Sequence, residues 1–534
     1  MPRRAEYGSD LVVELLRAVG IPYVALNPGA TFRGLQDSLV NFGGNADPEI
    51  VLGCHEEIAV AMAHGYGKAT GRPMAAAVHD LVGLQHASMA IYNAWCDRVP
   101  LLVLGGTGPM DETRRRPWID WVHTALVQGQ QVRDYVKWDD QPASLAAIPE
   151  SFLRAYRIAM AEPRGPVYLC YDVELQEARI EAPVALPPVE RYAPPVGPVP
   201  EGGGLARLAA HLVEAERPVV LADDVGRAPA AVRWLVELVE LLALPVLDQP
   251  GRLNMPTRHP LNLTGAASEL LPEADLVLGL DVQDLYGGLA GGLLERGPRL
   301  LVPDSARIAH ISMHDYLQRS WAADYHRLAP VDLALAGDTA AALPALAAAC
   351  RARMASDGAA ASRAAARGRR LALLRQGLEE RWGRELKAAA AGGGLTLPQL
   401  VAEVWSAVRE ADWILVNDHY ASPWTRRLWD IPGPAQYVGC CRGAGLGYGI
   451  GAALGAALAH REAGRLCVDL QPDGDLLYSP SALWTAAHHA IPLLVVVCNN
   501  RTYGNDEAHQ AHVAQARGRP VENKGVGIRI DEPP

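Results

Sequence analysis

An aspartate that follows one hydrophobic run and an asparagine that ends the next are the residues of this sequence best suited to hold a hard cation. In PDGDLLYSPSALWTAAHHAIPLLVVVCNN, Asp473 and Asn500 stand 27 positions apart. Strand, helix and strand fit that interval, so the two side chains reach adjacent strand ends and offer a carboxylate and an amide oxygen. Magnesium takes such ligands and completes its octahedron from phosphates, waters and backbone carbonyls. Gly474 lets the backbone approach a phosphate closely, and a helix starting near Ser479 or Ser481 presents free N–H groups and a positive dipole end. Taken separately, Asp473-Gly474 also reads as an ordinary turn and Asn499-Asn500 as a strand-ending pair. A second carboxylate pair, Glu56-Glu57, opens CHEEIAVAMAHGYGKATG, where acidic residues also suit a helix N-terminus. His79 closes a small-residue strand in AAAVHDLVGLQHAS.

Elements that could carry these residues recur along the chain. Short Val/Leu/Ile runs alternate with Ala/Leu-rich amphipathic segments, the rhythm of parallel sheets covered by helices. Ligands of such sheets bind beyond the carboxyl ends of strands, where Asp473, Asn500 and His79 stand. The stretch Pro183 to Gly204, prolines followed by glycines, predicts a linker. A second block has strands at PVVLADD, LPVLDQ, DLVLGLD and RLLVPDS, then a helical stretch from Asp338 to about Ala390 punctuated by AAAAGGG. The third block has strands at ADWILVND, RLCVDLQPDGD and PLLVVVCNN. The fold class is therefore α/β, with three doubly wound parallel-sheet domains over residues 1–182, 205–350 and 392–534.

With 534 residues, 49% of them hydrophobic and 20% charged, the chain is long and apolar enough for several buried cores. Its 49 basic against 60 acidic residues leave a net charge of −11, without a basic track for nucleic acid. The N-terminal segment predicts a helix capped at Ser9 or Asp10 and stopped at Gly20, not a signal peptide. The apolar runs are too short to cross a membrane. Eight cysteines without CxxC spacing predict reduced, mostly buried thiols and no zinc or disulfide framework, hence a cytoplasmic protein.

The PDGD and NN segments, with their spacing, resemble the signature of thiamine diphosphate-dependent enzymes of the acetolactate synthase and benzoylformate decarboxylase superfamily. The resemblance spans nearly the whole chain and implies a pyrimidine-binding, a middle and a diphosphate-binding domain. It implies that Asp473, Asn500 and the backbone carbonyl of Thr502 bind Mg2+, with Gly474 and Asp475 against the cofactor. Glu56, followed by a helix containing Gly65-Tyr66, is similar to the glutamate that hydrogen-bonds the aminopyrimidine ring, a task suited to a carboxyl whose pKa burial raises. Glu57 is then its surface neighbour. In GCCRGAGLGYGIGAALGAAL the backbone around Gly445 would face the aminopyrimidine, and Leu446 would hold the cofactor bent; the segment also reads as close helix packing. His419 and Ser422, in NDHYASPWT, are candidate diphosphate contacts.

His79, with Gly83 following, is similar to the benzoylformate decarboxylase histidine and would donate a proton or pair with the substrate carboxylate. His86 reads as helix packing or capping, His55 as a loop-orienting residue, and His488 and His489 as structural. Some positions depart from the pattern. Ala30 replaces a serine in NPGA, Pro472 replaces the first glycine of GDG, Tyr286 stands near where a second histidine is expected, and relatives continue beyond GIRIDEPP.

The implied activity is cleavage or formation of a carbon–carbon bond next to a carbonyl, making the chain a lyase or transferase. It would be a 2-oxo acid decarboxylase or an acetolactate synthase-like carboligase. A 2-hydroxyacyl-CoA lyase, with Arg252 and Pro303 to Arg307 serving its nucleotide, is an alternative, as is a catalytically silent cofactor-binding protein. The resemblance also implies a homodimer or homotetramer in which Glu56 and Asp473 of different chains share a site.

Overall fold

The structure of the protein is a computed structural model, described over residues 4–291, 299–317, 327–418 and 421–532. Its first sheet contains β1 (Tyr23–Leu26), β2 (Glu49–Leu52), β3 (Ala75–Val78), β4 (Leu101–Thr107), β5 (Asp139–Asp140) and β6 (Pro166–Asp172). They lie in the order β2-β1-β3-β4-β6-β5, all parallel. β3 and β4 are buried along their whole length, as strands covered on both faces must be. One apolar cluster around Leu15, Leu26 and Phe152 covers one face. Another around Ile58, Val78 and Ile91 covers the opposite face.

The middle sheet comprises β7 (Pro218–Ala222), β8 (Val246–Asp248), β9 (Leu276–Leu280), β12 (Arg307–Ser312) and β13 (Leu333–Ala336), in the order β13-β12-β9-β7-β8. A separate antiparallel pair joins β10 (Ala290–Gly291) to β11 (Arg299–Leu300). The third sheet is β14 (Trp413–Asn417), β15 (Leu466–Pro472) and β16 (Leu494–Cys498), parallel and in sequence order. The α/β class with three parallel sheets is thus borne out.

Several local expectations are corrected. The triple glycine at 202–204 opens the helix Gly202–Glu214, because the Glu201 carboxylate accepts the Gly203 and Gly204 N–H groups and satisfies donors that would otherwise be orphaned. RLLVPDS contributes only the two-residue β11; the sheet strand is β12, whose His310 and Ser312 hide it from a search for apolar runs. The helical stretch after Asp338 divides into Thr339–Ser356 and Ala360–Ala391. The first helix spans Gly8–Ala18 with Tyr7 at its cap position, and Asp10 reaches back to the Glu6 and Tyr7 N–H groups. Arg252, expected at a nucleotide, is buried, donates to the Lys68 carbonyl and lies 3.7 Å from Asp224. Tyr286 is bonded by Arg327 in the middle sheet's helix Leu285–Leu289.

Two features hold the first and third sheets in a fixed relation. The helix Glu56–Thr70 crosses the helix Tyr448–Ala459 with backbones nearly touching. A Cβ on Gly65 would lie 2.1 Å from the Ala452 carbonyl oxygen, and one on Gly455 would lie 1.9 Å from that of Met62. Only glycine permits that approach. Beside the crossing, Arg442 donates its N–H to Asp97 at 2.8 Å and its guanidinium to Asp223 and Asp224 of the middle unit. Lys68 spans Asp97 and the Cys440 carbonyl, each at 2.8 Å. Burial opposes ionisation of Asp97, but Lys68, His64 and Arg442 outweigh it and hold the carboxyl well below the usual range.

All eight cysteines are free, Cys54 exposed. Among the described residues, no helix is long and apolar enough to cross a membrane.

Candidate active site

In the third sheet, the register pairs Pro472 with Cys498, so the turns that follow β15 and β16 emerge side by side. The Asp473 carboxylate ties them together. One oxygen accepts the Gly474 N–H at 3.0 Å, and the other accepts the Arg501 N–H of the neighbouring turn at 2.7 Å. Asn500 Oδ1 accepts the Thr502 N–H at 3.1 Å. Asp473, Asn500, Thr502 and Leu446 line one cavity of about 590 Å³. Its oxygen donors keep further lone pairs, so the residues fit a hard divalent cation together with a phosphate group.

Other expected contacts are placed differently. The Asp475 carboxylate, at a cavity wall, is engaged by its own chain through the Gly447 N–H at 2.5 Å and Gln471 Nε2 at 2.7 Å. Gly445 shares two hydrogen bonds of 3.2 Å with the Asn93 side chain of the first unit, one through its N–H and one through its carbonyl. Gly474 packs beneath the Tyr503 ring, 2.6 Å from where a Cβ would stand. Ser422 lines a different cleft, with Asp248, Arg375 and Arg426, while its neighbour Ala421 reaches the cavity. His419 lies outside the described residues.

In the first sheet, the strand order reverses between β1 and β3, and the residues just beyond their ends are Asn27 and His79. Such a switch point forms a crevice. Glu56 faces it, 4% exposed. Asn27 Nδ2 donates to Glu56 Oε1 at 3.1 Å, and His86 Nδ1 meets Oε2 at 3.2 Å. A Cβ on Gly83 would stand 3.0 Å from Oε1, so this glycine lets the helix Asp80–Cys96 approach the carboxylate. His55 caps the Glu56–Thr70 helix by accepting the Glu57 N–H and stacks on His86 at 4.8 Å. His86 is therefore a partner of Glu56, which corrects its reading as a packing residue. Asn27 was legible by the strand-end rule that exposed His79; nothing in the spacing pointed to His86 or Asn93.

Glu57 turns the opposite way, a correction to its surface assignment. It comes against Gly447 and Asp475, where a Cβ on Gly447 would stand 2.8 Å from its Oε1. Burial, then repulsion from Asp475, pushes the Glu57 carboxyl up to about 7. His79 Nδ1 lies 3.0 Å from Thr31 Oγ1, with Asp80 and His123 beyond. Burial, then the neighbouring His123, lowers the pKa of His79. Asp80 is pushed up to about 6 by burial. His488 stacks on Trp484, and His489 accepts the Leu52 N–H at 2.8 Å, the structural roles expected of them.

Three family models match the chain. They describe the N-terminal TPP binding domain of thiamine pyrophosphate enzymes over residues 7–132, the central domain over 205–346 and the C-terminal TPP binding domain over 420–529. The chain is 29% identical over 509 residues to a benzoylformate decarboxylase of Pseudomonas aeruginosa, covering 92% of this chain and 85% of that protein. It is 27% identical over 245 residues to an acetolactate synthase of Bacillus subtilis, covering 45% of this chain and 40% of that protein. The crystal structure of benzoylformate decarboxylase from Polynucleobacter necessarius superposes with a TM-score of 0.74 at 20% identity, covering 97% of this chain and 89% of that one, a likeness of fold.

Proposed function

The chain belongs to the thiamine pyrophosphate enzymes, and on that premise we propose that it makes or breaks the carbon–carbon bond beside the carbonyl of a small 2-oxo acid. The products would be those of a decarboxylase or of an acetolactate synthase-like carboligase. The observation that carries this reading is the bridge from Asp473 to the Arg501 N–H, which brings the oxygens of two adjacent strand ends to one cavity.

Bound thiamine diphosphate supplies a carbon nucleophile and an electron sink for the group that leaves. The protein's part is to hold and to move protons. Asp473, Asn500 and the Thr502 carbonyl would hold the magnesium ion that accompanies the diphosphate. Gly474 and Asp475 shape the wall behind them, Asp475 by fixing Gly447. Leu446 would pack against the cofactor, and Gly445 would present to it backbone held by Asn93. Glu56, oriented by Asn27 and His86, would hold the proton that the aminopyrimidine ring needs. His79 carries a proton to the reacting carbon or pairs with the substrate carboxylate.

Glu56 and Glu57 point in opposite directions, Glu56 toward its own first sheet and Glu57 toward its own third. This supports a homodimer or a larger even assembly in which Glu56 serves the cofactor held by Asp473 of a second chain. Exposed Leu477, Tyr478, Leu483 and Trp484, in the segment that follows Asp473, offer that chain an apolar surface.

The test is calorimetric titration of the metal-stripped protein with thiamine diphosphate, with and without magnesium, followed by a panel of 2-oxo acids. Magnesium-dependent binding and release of carbon dioxide or a condensation product are expected. Binding that ignores magnesium would refute the assigned ligand set.

A further inference from the structure

Beside the first sheet's switch point, two imidazoles and a carboxylate converge on one spot. His79 Nε2 lies 3.3 Å from Asp80 Oδ2, and His123 Nδ1 lies 3.6 Å from the same oxygen. The three ligand atoms all fall within 4.8 Å of one another. Asp80 has no solvent exposure, and its Oδ1 accepts the Val82 N–H at 3.2 Å. Among the described residues, its Oδ2 accepts no hydrogen bond and the buried His123 Nδ1 has no hydrogen-bond partner. An unsatisfied buried polar atom destabilises the fold, so two of them aimed at one point call for a shared ligand.

The spacing identifies its class. Nitrogen and oxygen ligands about 2.0–2.1 Å from a tetrahedral ion stand about 3.3–3.4 Å apart, which the His79–Asp80 and His123–Asp80 separations match to within a few tenths of an ångström. Two imidazoles and one carboxylate suit zinc, cobalt(II) or iron(II), whereas magnesium prefers an all-oxygen shell. Support comes from behind. Thr31 Oγ1 contacts His79 Nδ1 at 3.0 Å and accepts the Asp80 N–H at 3.1 Å, which leaves Nε2 directed at the cluster. The two histidine side chains are 15% and 25% exposed, so the open coordination side is reachable.

We propose that His79, Asp80 and His123 form a second metal site, for a transition ion of the zinc class, distinct from the magnesium ligands of the third sheet. An ion held there takes the His79 Nε2 lone pair out of use, so its occupancy regulates proton transfer by that ring. This regulatory consequence rests on the role given to His79 above; the binding of the ion does not.

The experiment is titration of the metal-stripped full chain with cobalt(II) in excess magnesium, read by visible ligand-field absorption and metal content. One cobalt per chain with a low-coordinate spectrum, displaced by zinc, is expected. H123Q, on a partly exposed short helix, should weaken it on the order of tenfold or more, as should D80N, and T31V by about 10–100-fold. D473A should leave the cobalt spectrum intact, and so should H86Q, which disables the neighbouring group of His55, Glu56 and His86. No cobalt spectrum, a spectrum indifferent to H123Q, or one lost in D473A overturns the site. Cobalt binding as expected, with zinc leaving 2-oxo acid turnover untouched, overturns the regulatory consequence and leaves the site standing.

Discussion

At the strand ends of the first sheet, the polar groups are rich in nitrogen and held by their own chain, buried Glu56 by Asn27 and His86 and part-buried His79 by Thr31. At those of the third sheet, Asp473 and Asn500 are oxygen donors on two turns, held by backbone N–H groups and open to a cavity. The same position in an α/β unit therefore serves two kinds of chemistry. Moving a proton requires desolvated groups whose neighbours set their affinity for it. Binding an ion requires lone pairs left free on a surface the ion can reach. The first unit meets its need by packing, the third by the geometry of two turns.

The largest effect should come from breaking the third-sheet end. Asp473→Ala removes both a charged ligand and the tie to the Arg501 turn, so thiamine diphosphate affinity measured by calorimetry in magnesium should fall about 100-fold or more, about 2.7 kcal/mol. Unchanged affinity would mean that the cavity is not the diphosphate site. Glu56→Gln should do the reverse at the first-sheet end. It should leave cofactor affinity close to wild type while lowering turnover about 10²–10⁴-fold. If the two variants showed the same phenotype, the division of labour between the sheets would fail.

The third prediction concerns what keeps the two ends in register. Gly455→Val would drive a branched side chain into the Met62 carbonyl, so the helices must separate. About 1–3 kcal/mol of stability should be lost, seen as an earlier thermal transition. A transition at the wild-type temperature would show that the crossing yields without cost.

How much of this was legible follows from the range of each interaction. Asp473, Asn500 and His79 are set by a strand and the turn after it, and such local order is written in apolar runs and glycines. Glu56 was legible as a motif, but its partners were not: His86 reaches it only because Gly83 lets one helix approach another. His123 reaches Asp80 from a five-residue helix, Ile119–His123, too short to show a periodicity. β12 was missed because a middle-sheet strand carrying His310 and Ser312 lacks a purely apolar pattern, and RLLVPDS, which has it, supplies two residues of a hairpin. Glu57 was misplaced since a helix pattern in one unit cannot say that a distant unit will cover its first turn.

Glu57 gives the smallest and most discriminating test, because it stands where the two regions touch. Its carboxyl is raised to about 7 by burial and by Asp475, against an ordinary value of 4.5. A carboxyl raised on folding binds its proton more tightly in the native state, so between about pH 4.5 and 7 the native chain holds more protons than the unfolded one, and stability falls as pH rises through that window. The penalty above pH 7, discounted for the solvent that still reaches a half-buried group, is about 1 kcal/mol. Glu57→Gln, which keeps the shape and removes the charge, should leave stability nearly unchanged at pH 5 and raise it by that amount at pH 8, as read from denaturant midpoints. An equal response at both pH values would mean that the first helix turn does not sit against Asp475 in solution. The contact between a proton-handling unit and an ion-holding one would then have to lie elsewhere.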